Sequence, residues 1–209
     1  MNFKKSCLFA LTGIALAASA QADGLYSESF DNLAATGWIL TNNSSPASLT
    51  WFQGNPDIFA AQAGASGAYA AANFNSAVGS GSISNWLISP EITLGSASVL
   101  TFYVRTEAVS GYQDALNVYF HAGSDSTTAS FTTALTSITA AQGWTQYTVT
   151  LPSAATGRIA FEYTVGNADN ANYIGLDTLQ ISAVPEPATY GLMALGLVGI
   201  AALRRRSAA

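Results

Sequence analysis

The chain has one cysteine, Cys7, and one histidine, His121, among 209 residues. Lys4 and Lys5 precede an apolar run from Cys7 to Ala18, and Ala20-Gln21-Ala22 has the small-x-small form of a signal peptidase site. Residues 1–22 therefore read as a signal peptide cut after Ala22, and Cys7 leaves with it. The exported chain then has no disulfide and no thiol chemistry. A single histidine without cysteine gives no ligand set for a transition metal. His121 falls on the polar phase of its strand, and no G-x-S-x-G elbow accompanies it, which argues against a Ser-His-Asp hydrolase. Phosphate loops and dinucleotide fingerprints are also missing.

Basic residues are scarce, and most lie at the ends. Without Glu186 and without Lys4, Lys5, Arg204, Arg205 and Arg206, the 12 acids and 7 bases become 11 and 2, a body of about −9. Such a surface repels phosphates and excludes nucleic acid as a partner. Only Arg105 and Arg158 remain to pair with acids, so most carboxylates are solvated or hold a cation.

Convincing helical stripes are absent from residues 23–183, whereas period-two alternation recurs. Leu100, Phe102 and Val104 alternate with Thr101, Tyr103 and Arg105; Leu116, Val118 and Phe120 alternate with Asn117, Tyr119 and His121. Ile159, Phe161, Tyr163 and Val165 share one phase. The expectation is an all-β domain, a two-sheet antiparallel sandwich over residues 23–183. The stretch from Gly54 to Gly81 is dominated by small residues and reads as long, flexible surface loops with one or two short strands.

Beyond the domain, residues 184–209 form a separate segment. Ala188 to Leu203 is about 16 residues without an ionisable group except Tyr190, which as a helix spans roughly 24 Å against a hydrocarbon core of about 30 Å. The three arginines that follow stay cytoplasmic by the positive-inside tendency. Pro185-Glu186-Pro187, a single hydrophobic helix and the cluster Arg204, Arg205, Arg206 resemble the PEP-CTERM sorting signal of Gram-negative bacteria that make exopolysaccharide. The resemblance implies transient anchoring in the inner membrane, cleavage near Pro-Glu-Pro by an exosortase, and release or attachment at the cell surface, outer membrane or extracellular matrix.

The body carries a second resemblance. "ESFDNLAATGWIL", "NWLISPEITLGSASVLTFYVRT", "GWTQYTVTLP" and "YIGLDTLQIS", in that order, are similar to the choice-of-anchor J group, related to cleaved-adhesin and MAM-type jelly rolls. This implies a jelly roll with an adhesive role, its partners exopolysaccharide in a biofilm or other surface proteins. In related jelly rolls an acid of the first strand and one of the last meet at a structural Ca2+ site, and Glu28 and Asp177 match those positions. By strand phase both acids fall among inward-facing apolar residues, Asp177 with Leu179 and Ile181, where an unpaired carboxylate costs several kcal/mol. Asp31, Asn167 and Asp169 are further oxygen donors.

Trp38, Trp86 and Trp144 read as core anchors, and Trp51 with Phe52 as a surface platform for sugar rings. The competing reading is a secreted glycoside hydrolase or lyase using two of Glu28, Glu91, Glu107 and Glu162, with nothing in the sequence selecting a pair.

Overall fold

The computed structural model describes residues 24–95, 97–153 and 155–184, together with 191, 195 and 196. The signal peptide with Ala22, the motif Pro185, Glu186 and Pro187, the C-terminal helix and Arg204, Arg205 and Arg206 lie outside the described residues. Residues 22–184 form one compact unit.

Among the described residues thirteen strands are numbered in chain order. The first sheet runs Thr145–Leu151 (β11), Ser98–Thr106 (β8), Tyr173–Ala183 (β13), Ala70–Asn73 (β5) and Phe52–Gln53 (β4), and Gly24–Glu28 (β1) also pairs with β13. The second runs Ala134–Thr139 (β10), Ala115–Ala122 (β9), Thr156–Val165 (β12), Ala77–Ile88 (β6) and Ile39–Asn42 (β2). Ser45–Ala47 (β3) joins β6 and Ile92–Thr93 (β7) joins β12. All pairings are antiparallel, and the all-β, two-sheet jelly-roll sandwich is the observed fold.

The alternation seen in sequence sorts residues between core and surface. Leu100, Phe102 and Val104 are fully buried between the sheets, while Thr101, Tyr103 and Arg105 point to the outer face. Across the core Phe102 meets Phe161 of β12 edge to face at 5.1 Å, and Phe161 meets Trp38 at 6.1 Å. Such aromatic contacts add specific attraction to the burial of apolar area that holds the two sheets together.

Asp114 is one of two buried acids among the described residues. Asp114, just before β9, accepts from Tyr163 Oη (2.5 Å), Thr106 Oγ1 (2.6 Å) and the Asn172 amide (2.9 Å). These donors offset its desolvation, and extending the Leu116, Val118 phase back by two residues would have located it.

Burial, as the leading cause, raises the pKa of Tyr26, Tyr69, Tyr119, Tyr163 and Tyr173 above the ordinary 10.0, with Tyr119 pushed up to about 12. Raised values mean that the neutral phenols stabilise the fold below pH 10 and that this contribution is lost as pH rises through the folded-state values. In a spectrophotometric titration at pH 10.5 the native protein is expected to show markedly less tyrosinate than the urea-unfolded chain. Equal absorbance would contradict the buried, hydrogen-bonded placement of these rings.

Candidate functional site

Glu28 and Asp177 both lie at a junction on β13. On one edge of that strand β5 pairs as far as Leu176, and β1 takes over at Leu179, so Asp177 and Thr178 fill the gap between two partners. On the other edge the ladder to β8 carries an extra residue between Asp177 and Gln180, with Thr178 at φ 48°. A non-glycine residue in this left-handed region is costly and marks a place where the chain is forced to change phase.

The bulge corrects the sequence-based orientation of Asp177. Strict alternation puts Asp177 with Leu179 and Ile181, but the inserted residue reverses the phase, so Asp177 pairs with Tyr103 on the outer side while Leu179 and Ile181 face the core. Asp177 is nevertheless 0% exposed, because the loop before β5 lies over it. Its Oδ2 accepts the amides of Gln62 (2.7 Å) and Ala63 (3.2 Å), and its Oδ1 accepts that of Thr178 (2.6 Å). Thr178 Oγ1 also donates to Gln62 Oε1 at 2.7 Å.

Glu28 pairs opposite Leu179 and is half-buried, and its Oε1 accepts the amide of Phe30, which has φ 51°. A Cβ built at Gly64 would lie 3.2 Å from Asp31 Oδ1, so Asp31 rests against the same loop that covers Asp177. Burial pushes the Asp177 carboxyl up despite its three amide donors. Three acids thus border one junction, and the two arginines of the body are spent elsewhere. Arg105 lies 4.1 Å over the Phe59 ring, and Arg158 donates to the Ser89 and Ser124 carbonyls.

The donors suit a hard cation, with a limit. Among the described residues no three Asp, Glu, His or Cys side chains gather closely enough to hold a metal. A calcium ion at Glu28 and Asp177 would need backbone carbonyls for most of its six to eight oxygens. Asn167 and Asp169 are not part of this junction: Asn167 caps the 3₁₀ turn Ala168–Asn170, and Asp169 accepts from Ser80.

The loop over Asp177 departs from the flexible excursion expected for Gly54–Gly81. Phe59 and Tyr69 are buried, stacked at 5.1 Å, and packed edge-on against Trp144. Gly175 lies beneath them, where a Cβ would come within 2.9 Å of Phe59, so only glycine allows this approach. The signal missed in the sequence was the pair of aromatic residues set among alanines and glycines.

Trp51 is likewise corrected. It is 1% exposed and donates its Nε1 to the Asn85 carbonyl at 2.9 Å, so it is a core residue and cannot stack on a sugar. Alternation explains this: Phe52, one residue on, faces the other side and packs edge-on to Tyr173 at 5.9 Å. Both border a cleft of about 420 Å³ beside Asp31, Asn32 and Leu33. Gln53 at its side is fully engaged, accepting from Leu33 and donating to the Phe30 and Gly67 carbonyls. Trp38 and Trp86 are buried, and Trp144 is partly so. The four glutamates weighed as a catalytic pair lie on separate elements: Glu28 ends β1, Glu91 is exposed before β7, Glu107 follows β8, and Glu162 is on β12.

Comparison with known proteins agrees with this architecture. The chain is similar to the K1 cleaved adhesin domain of Lys-gingipain (Kgp) from Porphyromonas gingivalis W83, at 28% identity and TM-score 0.62, over 77% of this chain and 98% of that one. The K3 domain of the same protein is similar at 20% identity and TM-score 0.60, over 78% and 100%. A cyclase from Fischerella sp. TAU shares the fold at 15% identity and TM-score 0.54, over 80% and 100%. No curated protein sequence matches the chain. The PEP-CTERM protein-sorting motif matches residues 183–206 and implies exosortase processing. With the MAM domain (meprin/A5/mu) matched over residues 29–185, which hold both sheets from β2 to β13, the chain belongs to the MAM-domain family.

Proposed function

We propose that this protein is a non-catalytic, adhesin-like binding module, sorted by an exosortase to the cell surface or extracellular matrix of a Gram-negative bacterium, where it holds exopolysaccharide within a biofilm. The observation that carries the reading is the contiguity of domain and signal: β13 ends at Ala183, and the sorting motif begins at residue 183. In sequence the sandwich therefore runs straight into the Pro-Glu-Pro segment, and exosortase cleavage there frees or reattaches a complete folded domain. Similarity to cleaved adhesin domains supports binding over catalysis, although the cyclase shows that the same fold also occurs in an enzyme.

Removal of residues 1–22 by signal peptidase belongs to this proposal, as does passage through the membrane on the C-terminal helix. So does a structural calcium ion held by Glu28 and Asp177 with backbone carbonyls. It would supply the positive charge that the acid junction lacks and fix the turn between β1, β5 and β13.

The sorting reading is tested in an exosortase-bearing host expressing the full chain. The wild type is expected in the surface or medium fraction, with a mass that places its C-terminus near Pro185. A Pro185→Ala/Pro187→Ala variant is expected to stay membrane-bound and uncut. Equal processing of both would overturn it.

A further inference from the structure

The outer face of the second sheet carries a polar network beside the buried cluster of Trp86, Ile88, Phe131 and Ala160. Residues Ser137, Asn117, Glu162, Trp86 and Thr41 form one row across β10, β9, β12, β6 and β2. Glu162 is its centre. Ser84 Oγ donates to Oε1 at 2.7 Å, and Tyr119 Oη (2.7 Å) and Asn117 Nδ2 (3.1 Å) donate to Oε2. Each donor is itself placed by a neighbour: Ser137 Oγ donates to Asn117 Oδ1 at 2.7 Å, and Trp86 Nε1 donates to Ser84 Oγ at 2.9 Å. Trp86 is fixed in turn by stacking on Tyr119 at 5.0 Å.

Glu162 is only partly buried, so water could reach its carboxylate without such support. Ordering four polar side chains around it costs rotamer entropy, and water would satisfy each of them separately. What the network achieves is a carboxylate held at a fixed place, with one acceptor site, on Oε1, still open. Beside it lies a hollow of about 430 Å³ lined by Ala115, Thr139 and Thr164 with Gln113, Val165 and Gly166, within the size range of small-ligand sites. Ala115 pairs with both Thr139 and Thr164, and Thr164 pairs with Ser84, so the floor of small and hydroxyl-bearing residues adjoins the Glu162 row.

The chemistry selects the occupant. The hollow is lined by no cation, and the body around it carries about −9, so an anionic polymer is repelled. Hydroxyls and amides both donate and accept, and a prearranged carboxylate accepts strongly from hydroxyl groups. We infer that the Glu162 row and the adjoining hollow bind a segment of uncharged polysaccharide, one hydroxyl group donating to Glu162 and others exchanging hydrogen bonds with Asn117, Thr139 and Thr164. This rests on the reading of the domain as a binder of extracellular polymer, and it adds the site and the class of sugar.

The test uses the compact 22–184 domain, which contains its own core. Affinity electrophoresis against dextran and galactan, with polygalacturonate and chitosan as charged comparators, is followed by calorimetry on any polymer that retards it. Retardation by a neutral polymer is expected, weakened at least tenfold by Glu162→Gln and by Thr139→Trp, which fills the hollow from an exposed position. Gln146→Ala on β11 of the other sheet is expected to bind as the wild type does. Unchanged melting of Thr139→Trp would separate a blocked site from a damaged fold. Binding of a neutral polymer that both variants leave intact would overturn the site but keep the polymer-binding reading. Retardation by a charged polymer alone would overturn the sugar class. No retardation by any of the four would overturn this inference together with the reading beneath it.

Discussion

Trp51→Ala is expected to destabilise the domain by about 3–5 kcal/mol, the range for truncating a large aromatic in a packed core. For a domain of this size the melting temperature falls by roughly 10 °C. Trp51 is enclosed between the sheets and also satisfies the Asn85 carbonyl, so its loss opens a cavity and leaves an acceptor unpaired. Trp51→Phe should keep most of the volume and lose only the hydrogen bond, at about 1–3 kcal/mol. Thermal or urea unfolding of both variants checks this, and polysaccharide binding by Trp51→Phe should match the wild type. A sugar platform would show the reverse: near-normal stability with lost binding.

Asp177→Ala is the second large effect. It strips the acceptor from the amides of Gln62, Ala63 and Thr178, and it should cost about 3 kcal/mol, since each buried donor left unpaired costs about 1–3 kcal/mol and the loop partly relaxes. The loss is local before it is global. Hydrogen exchange should show amides 62 and 63 deprotected, with the loop carrying Phe59 loosened over Trp144 and Tyr173.

Calcium enters the same experiment. If Glu28 and Asp177 hold the ion with a Kd near 10 μM, then 1 mM calcium adds about 2.7 kcal/mol over EDTA, a shift of several degrees, and Glu28→Ala and Asp177→Ala should both abolish it. A wild type insensitive to calcium would remove the metal from the proposal. The pinning of the loop by Asp177 would stand, because it rests on the three amide contacts alone.

The amino-acid sequence alone determined the sheet content and the sidedness of most strands. Period-two alternation is a local property, and it correctly sent Leu100, Phe102, Val104, Ile159 and Phe161 to the core. The tail was legible for a similar reason: proline-glutamate-proline, an apolar run and three arginines carry their meaning in linear order, and the sorting motif matches there. Asp177 shows where local reading stops. Its phase depends on a bulge at Thr178, and the bulge arises because β5 and β1 divide one edge of β13 between them. That division is set by pairing between segments over 100 residues apart, which no local pattern records. Trp51 and the aromatic loop follow the same logic, since a tryptophan beside glycine, asparagine and proline becomes a core residue only once β4 is docked on β5. The Glu162 row is the clearest case: Ser137, Asn117, Glu162 and Ser84 come from four strands, and only the antiparallel register of the second sheet gathers them around one carboxylate.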